Sequence, residues 1–408
     1  MVLPRYAFFA AILAAAGLPI YIHAPKFYVD AYGLGLAEMG LVLLALRLID
    51  VLQDPLLGQL AGILGARARM RAALLAGLGM AAGMLGLFAV APPVAPILWF
   101  ALCLALLFSS FSFLTILFYA RGVSQAQAFG PRGHLRLAGW RETGALLGVS
   151  LATMAPFVLG GGGPLSGYGA FALLFAVLAL VASVVMAPLW HGPMVRMAGG
   201  FAALLKDRGI RRLLLIAMVN GAPVAMTSTL FLFFVEYRLG APGVAGPVLL
   251  VFFLAAAVAA PLWSRAAERA SEVSMIALGM GLSMLAFVWA YTLGTGDIWA
   301  FAVICVLSGA ALGADMTLLP ALYARRISEV GASETAAFGL WNFASKLTLA
   351  LAAAVVLPVL EWSGFRAGQA NDGQALGQLS FLYALVPTAL KALALGLLFT
   401  RQNAKVLA

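Results

Sequence analysis

Charge is what this chain has least of. Only 10% of its 408 residues are Asp, Glu, Lys or Arg, against about 25% in an ordinary soluble domain. A water-soluble globule of this length is thereby excluded. Alternating strand patterning is also missing. The apolar residues fall in long runs, which rules out a transmembrane β-barrel. There is no phosphate-binding glycine loop, no metal-ligand cluster and no nucleophile–base pair, so an enzyme is not expected and no cofactor is implied. The two cysteines, Cys103 and Cys305, lie inside apolar runs and read as small core residues that say nothing of redox compartment. No convincing small-residue cleavage site follows the N-terminal apolar stretch, so no cleaved signal is expected. The net charge of +10 raises a nucleic-acid partner, but the distribution of that charge points to membrane orientation instead.

What the chain has is apolar length. Hydrophobic residues make up 64% of it, in runs of about 20, enough to cross roughly 30 Å of hydrocarbon as helix. An all-α polytopic membrane protein follows. Hydropathy places twelve spans at about 5–26, 36–63, 72–92, 96–120, 139–160, 168–189, 212–237, 245–264, 273–294, 298–323, 335–360 and 379–400. With the N-terminus inside, the cytoplasmic loops take most of the arginines, among them Arg67, Arg69, Arg71, Arg132, Arg136, Arg325 and Arg326. The outer side takes Lys26, Arg238 and Arg366. That bias sets both termini in the cytoplasm. Arginine outnumbers lysine, and Ala, Gly and Leu dominate. This composition suggests a GC-rich bacterial genome and hence the bacterial inner membrane.

The longest cytoplasmic connection, about 190–212, divides the chain into an N-terminal six-helix half (1–190), a linker (191–211) and a C-terminal six-helix half (212–408). The halves echo one another. Leu98-Trp99-Phe100-Ala101-Leu102-Cys103 resembles Ile298-Trp299-Ala300-Phe301-Ala302-Val303-Ile304-Cys305. Arg141 precedes Pro156 much as Lys346 precedes Pro358. Parallel six-span repeats are the signature of the major facilitator fold. After span two, Gly58-Gln59-Leu60-Ala61-Gly62 and Gly65-Ala66-Arg67 form a degraded version of that superfamily's loop motif, with Gly62 in place of its acid.

Against this apolar background, span two carries two carboxylates in Arg47-Leu48-Ile49-Asp50-Val51-Leu52-Gln53-Asp54-Pro55-Leu56-Leu57-Gly58. An ionised carboxylate near the bilayer centre costs about 2.5–3.5 kcal/mol, so two of them need a partner or a use. Positions i and i+4 share a helix face, which sets Arg47, Asp50 and Asp54 in one polar stripe. Pro55 deprives the Val51 carbonyl of its helical donor. Two carboxylates, that carbonyl and the amide of Gln53 are the oxygen set a hard cation such as sodium takes; a proton is the other candidate. The alternative is an Arg47–Asp pair that only locks helices together.

The same stretch, with Asp30-Ala31-Tyr32-Gly33-Leu34 ahead of it, resembles the melibiose permease, or glycoside–pentoside–hexuronide:cation symporter, family. Its signature is Arg, two residues, Asp, three residues, Asp-Pro, two residues, Gly. The resemblance implies that Asp50 and Asp54 bind sodium or a proton, helped by Gln53 and by Ser112 in span four. It implies that Lys346 in Trp341-Asn342-Phe343-Ala344-Ser345-Lys346 links the cation site to the substrate site. Mid-span, Lys346 is too deep to snorkel and needs an anion, with Asp50 or Asp54 the natural one. By the same resemblance Arg141 lines the substrate cavity and Tyr119 stacks on substrate. An interfacial arginine and a belt tyrosine are the plainer alternatives. Asn342 and Trp341 join the candidate substrate and coupling residues.

Three further features come from the residues alone. Asp315 either faces the cavity or pairs with Arg325 or Arg326. Asn220-Gly221-Ala222-Pro223 reads as a hinge or cavity-lining kink in span seven. Lys391, and Glu236 with Arg238, read as structural.

The chain departs from the sugar-binding members of the family where their two sugar-holding carboxylates stand. Those positions fall near Ala14 and on Thr115. A site stripped of its hydrogen-bond partners loses its sugar affinity, so galactosides are not expected. A less hydroxylated or amphiphilic small molecule is. The expected function is cation-coupled symport by alternating access, as a monomer in the bilayer. A proton-driven exporter or lysolipid translocator, and a non-transporting membrane assembly factor, are the alternatives.

Overall fold

The computed structural model describes residues 2–17, 20, 23–24, 27–28, 31–34, 36–160, 167–191, 204–366 and 371–399. For residues 36–40, 44, 47, 157 and 353 it describes the backbone alone. Among these residues the chain is helical throughout and no strand forms. Twelve helical segments follow one another. They are α1 (Val2–Ala15), α2 (Leu36–Ile63), α3 (Ala66–Phe88), α4 (Pro96–Gln127), α5 (Gly133–Val158), α6 (Tyr168–Met186), α7 (Arg208–Phe233), α8 (Ala245–Arg269), α9 (Glu272–Tyr291), α10 (Ile298–Glu329), α11 (Glu334–Trp362) and α12 (Gly373–Phe399). Nine of the described helices are long and apolar enough to cross a membrane. In hydrocarbon every backbone N–H and C=O must be satisfied within the segment, and the helix does this.

Several helices outrun the apolar spans read from hydropathy. α4 continues past residue 120 to Gln127, and α10 past residue 323 to Glu329. Hydropathy marks where a helix leaves hydrocarbon, whereas helix formation continues as long as the polar ends can be satisfied. Arg325 and Arg326 do this on α10, each pairing with Glu329. The expected linker at 191–211 lies largely outside the described residues. Beyond it α7 is capped by Asp207, whose Oδ1 accepts the Ile210 N–H at 2.8 Å.

The chain forms two compact units, residues 1–204 with 324–343, and residues 205–323 with 344–408. In the first, α1 lies along α5. Gly144 and Gly148 are spaced as a small-xxx-small pair, and a Cβ on either would run into the backbone of Ala7 or Ala11. α3 packs on α4 and α6, and Trp99 Nε1 donates to the Gly86 carbonyl at 2.7 Å. Tyr6 stacks on Phe118 with ring centroids 4.9 Å apart. Also in this unit, the second half of α2 meets the start of α11 backbone to backbone. A Cβ on Gly58 would stand 2.8 Å from the Thr335 carbonyl oxygen, and one on Gly339 would stand 3.1 Å from that of Asp54.

In the second unit α7 and α9 pack on α12. α7 runs into a π turn at Phe234–Arg238, and α12 contains one at Phe381–Leu385. The two turns meet where Phe234 stacks on Tyr383 at 4.1 Å.

Candidate functional site

α2 presents two faces. Leu48, Ile49, Leu52 and Leu56 are exposed, Leu52 at 71%, while Asp50 and Asp54 are enclosed at 5% and 0%. The apolar face suits lipid and the acids do not meet it. Gln53 Nε2 donates to Asp50 Oδ1 at 2.7 Å, and Ser109 Oγ on α4 donates to Gln53 Oε1 at 3.0 Å. The Gln53 amide therefore turns its N–H to the carboxylate and its oxygen to Ser109. In this state it orients Asp50 more than it offers an oxygen ligand. Ser112, one turn further along α4, is fully buried. Sequence reasoning chose Ser112 and missed Ser109. The adjacent pair Ser109-Ser110 in an apolar run was the available signal, but seeing that Ser109 turns to Gln53 needs the rotation of α4 about its axis. Asp30 and the Arg47 side chain lie outside the described residues.

A second buried group lies in the same unit. Arg141 and Glu142 are both buried, and Arg141 Nε donates to Glu142 Oε1 at 2.7 Å. Tyr119 OH donates to the same oxygen at 3.0 Å, and the guanidinium lies 3.8 Å over the Tyr119 ring centroid. The stack and the carboxylate together hold the guanidinium plane in one orientation. Its Nη2 and the Thr115 hydroxyl, one turn before Tyr119 on α4, are buried with no hydrogen-bond partner among the described residues. Neither Arg141 nor Tyr119 sits at an exposed interfacial position. Trp341 and Asn342 are half-buried on α11.

The second unit holds its own polar cluster. Lys391 on α12 is 0% exposed. Its Nζ donates to Asn220 Oδ1 on α7 at 2.6 Å and to Asp315 Oδ2 on α10 in a close ion pair. Of the two alternatives for Asp315, a place on the cavity or a pairing with Arg325 or Arg326, the second does not form. Those arginines sit ten and eleven residues along α10 and turn to Glu329, while Lys391 reaches Asp315 from a neighbouring helix. Asn220, expected at a cavity-lining kink and as a candidate substrate or coupling residue, is the third member of this cluster. Lys346 is buried on α11.

The MFS/sugar transport protein family matches residues 6–402. The chain belongs to that family. No curated protein matches it in sequence. Solved major facilitator structures share its fold at low identity. A bacterial homologue of the iron transporter ferroportin, in an outward-facing state with soaked iron, superposes with a TM-score of 0.68 at 16% identity, covering 96% of this chain and 98% of that one. The human organic anion transporter MFSD10 (TETRAN) gives 0.67 at 18%, covering 97% and 98%. The E. coli fucose:proton symporter gives 0.64 at 16%, covering 96% and 98%. The chain is therefore a membrane transporter of the major facilitator fold, and not an enzyme. For a member of this family the enclosed acids of α2 are the first candidates for an ion site. Among the described residues no group of three or more His, Cys, Asp or Glu could hold a metal ion. A bound ion would rest on two carboxylates plus neutral oxygens.

Proposed function

We propose that the protein is a cation-coupled symporter in which Asp50 and Asp54 take up sodium or a proton. The enclosure of both carboxylates on one face of α2, with leucines exposed on the other, carries this reading. An ion that binds there cancels charge that hydrocarbon penalises. It shifts the transporter between its two access states by no more than its differential affinity for them. Gln53 and Ser109 orient Asp50, and Ser112 is the further hydroxyl on α4 within the site. Arg141, Tyr119 and Thr115 are the proposed substrate contacts, and Trp341, Asn342 and Lys346 the coupling residues. The substrate is a small or amphiphilic molecule rather than a galactoside, because Ala14 and Thr115 replace the sugar-holding acids. The protein works in the bacterial inner membrane with both termini cytoplasmic.

The test is ion-dependent stabilisation of the purified protein. A ligand at a hundredfold excess over its Kd adds about 2.7 kcal/mol to stability, well within reach of a thermal shift. Sodium, or a pH change, should stabilise the wild type and leave Asp54→Asn unmoved, with membrane insertion intact. Equal stabilisation of the variant removes Asp54 from the mechanism.

A further inference from the structure

The cluster of Asp315, Lys391 and Asn220 lies in the second unit and shares no residue with the proposed ion site on α2. Three helices contribute to it, so it is more than a contact between neighbours in sequence. Lys391 is wholly enclosed, and its ammonium is shared between Asp315 Oδ2 and Asn220 Oδ1. Asp315 itself is 8% exposed. Among the described residues nothing donates to its second oxygen, Oδ1, which is buried. A pair kept only for structure would satisfy both carboxylate oxygens, since an unmet buried acceptor is a standing cost.

The other charged groups on the surrounding helices stand mostly at their ends. Arg208, Arg211 and Arg212 open α7, and Glu236 and Arg238 follow its last turns. Glu272 opens α9. Arg325, Arg326 and Glu329 close α10, and Glu361 lies near the end of α11. Cys305 on α10 and Tyr383 on α12 are separated along their helices from Asp315 and Lys391. Lys346 on α11 is the further charge at mid-helix in this unit.

We infer that Asp315 is the proton-accepting carboxylate of a second ion site, with Lys391 as its built-in counter-ion. A proton is favoured over sodium by the donor set. A hard metal cation wants several oxygens at once, whereas the cluster offers one open carboxylate oxygen beside an ammonium already in place. A proton needs a single lone pair, and Oδ1 supplies it. When the proton adds to Oδ1, the pair passes from net neutral to a single buried positive charge on Lys391, held only by two neutral acceptors, Asn220 Oδ1 and the Asp315 Oδ2 carbonyl. An uncompensated buried charge is strongly unfavourable. The protonated cluster therefore favours a conformation that hydrates Lys391 or brings it an anion. The proton belongs to the coupled pair, and its affinity is a property of both groups.

The experiment is an infrared difference titration of the purified, full-length protein between roughly pH 8 and pH 5, the range in which physiological proton switches work. It reads the carbonyl stretch of a protonated carboxyl. The expected result is a band that appears on acidification in the wild type and persists in Asp50→Asn/Asp54→Asn. It should be lost in Asp315→Asn. Because Asp315→Asn strands a buried ammonium and can fail to fold, Asp315→Asn/Lys391→Met is run beside it. That variant removes both charges, should stay folded and should also lack the band. A band unchanged in the double-charge-removal variant overturns the inference, as does a wild type with no band beyond that of Asp50 and Asp54. Failure of the α2 site alone leaves the Asp315 band in place, so the two proposals fail separately.

Discussion

Ser109 Oγ donates to Gln53 Oε1 at 3.0 Å, joining α4 to α2 at an amide that donates to Asp50. The bond is the outer link of a two-step chain that ends on a buried carboxylate. Ser109→Ala leaves the Gln53 oxygen without its donor and frees the amide to rotate. The expected loss is about 1 kcal/mol, or roughly fivefold in cation affinity. It is read as a shifted midpoint in a sodium or pH titration of thermal stability. Ser112→Ala in the same assay compares the two hydroxyls, and a larger effect there would place Ser112 nearer the ion.

The Gly144 and Gly148 pair makes a packing prediction. A Cβ at Gly144 meets the Ala7 backbone, whereas one at Gly281 on α9 has nothing within 4 Å. Gly144→Ala should lower stability by about 1–3 kcal/mol through overpacking. Gly281→Ala should be neutral or stabilising by up to about 1 kcal/mol, since glycine is a poor helix former. Thermal unfolding in detergent checks both. Equal effects would mean that α1 and α5 do not meet through these glycines.

Glu142 is the carboxylate that receives both Arg141 and Tyr119. Glu142→Gln removes the counter-charge of a buried guanidinium and should cost about 3–5 kcal/mol. Tyr119→Phe deletes one hydrogen bond, keeps the ring under the guanidinium, and should cost about 1 kcal/mol. Expression level and thermal midpoint of the two variants should differ in that order.

His134, in the first turn of α5, has its imidazole pushed down to about 4, first by burial and then by the nearby Arg325 and Arg141 charges. In the unfolded chain it titrates near its ordinary value of about 6.5. Between those values the unfolded state binds more protons, so stability rises with pH across that window and falls as the solution is acidified through it. His134→Ala should flatten the slope of thermal stability against pH in that interval. An unchanged slope would assign it to other groups.

The enclosed pair on α2 was legible because its signal is local: two acids at i and i+4 in an apolar run, with leucines on the opposite face. Lys391 was not. A lone lysine in the middle of an apolar run carries no mark of what it meets, and its partners lie 76 and 171 residues away. For Asp315, the sequence left open a place on the cavity or a pairing with the nearby arginines, and the packing of α12 against its neighbours supplied a different cation, Lys391.

By itself the sequence determined that this is a helical membrane protein, how many times it crosses, and which face of α2 is polar. Hydrocarbon imposes those features residue by residue, on length, charge and period alone. Tertiary structure decided which polar groups meet: Ser109 on Gln53, Glu142 under Arg141, and Lys391 between Asp315 and Asn220. Those pairings depend on how each helix is rotated and which helix lies beside it. These are properties of close packing between segments far apart in the chain, and no local pattern encodes them.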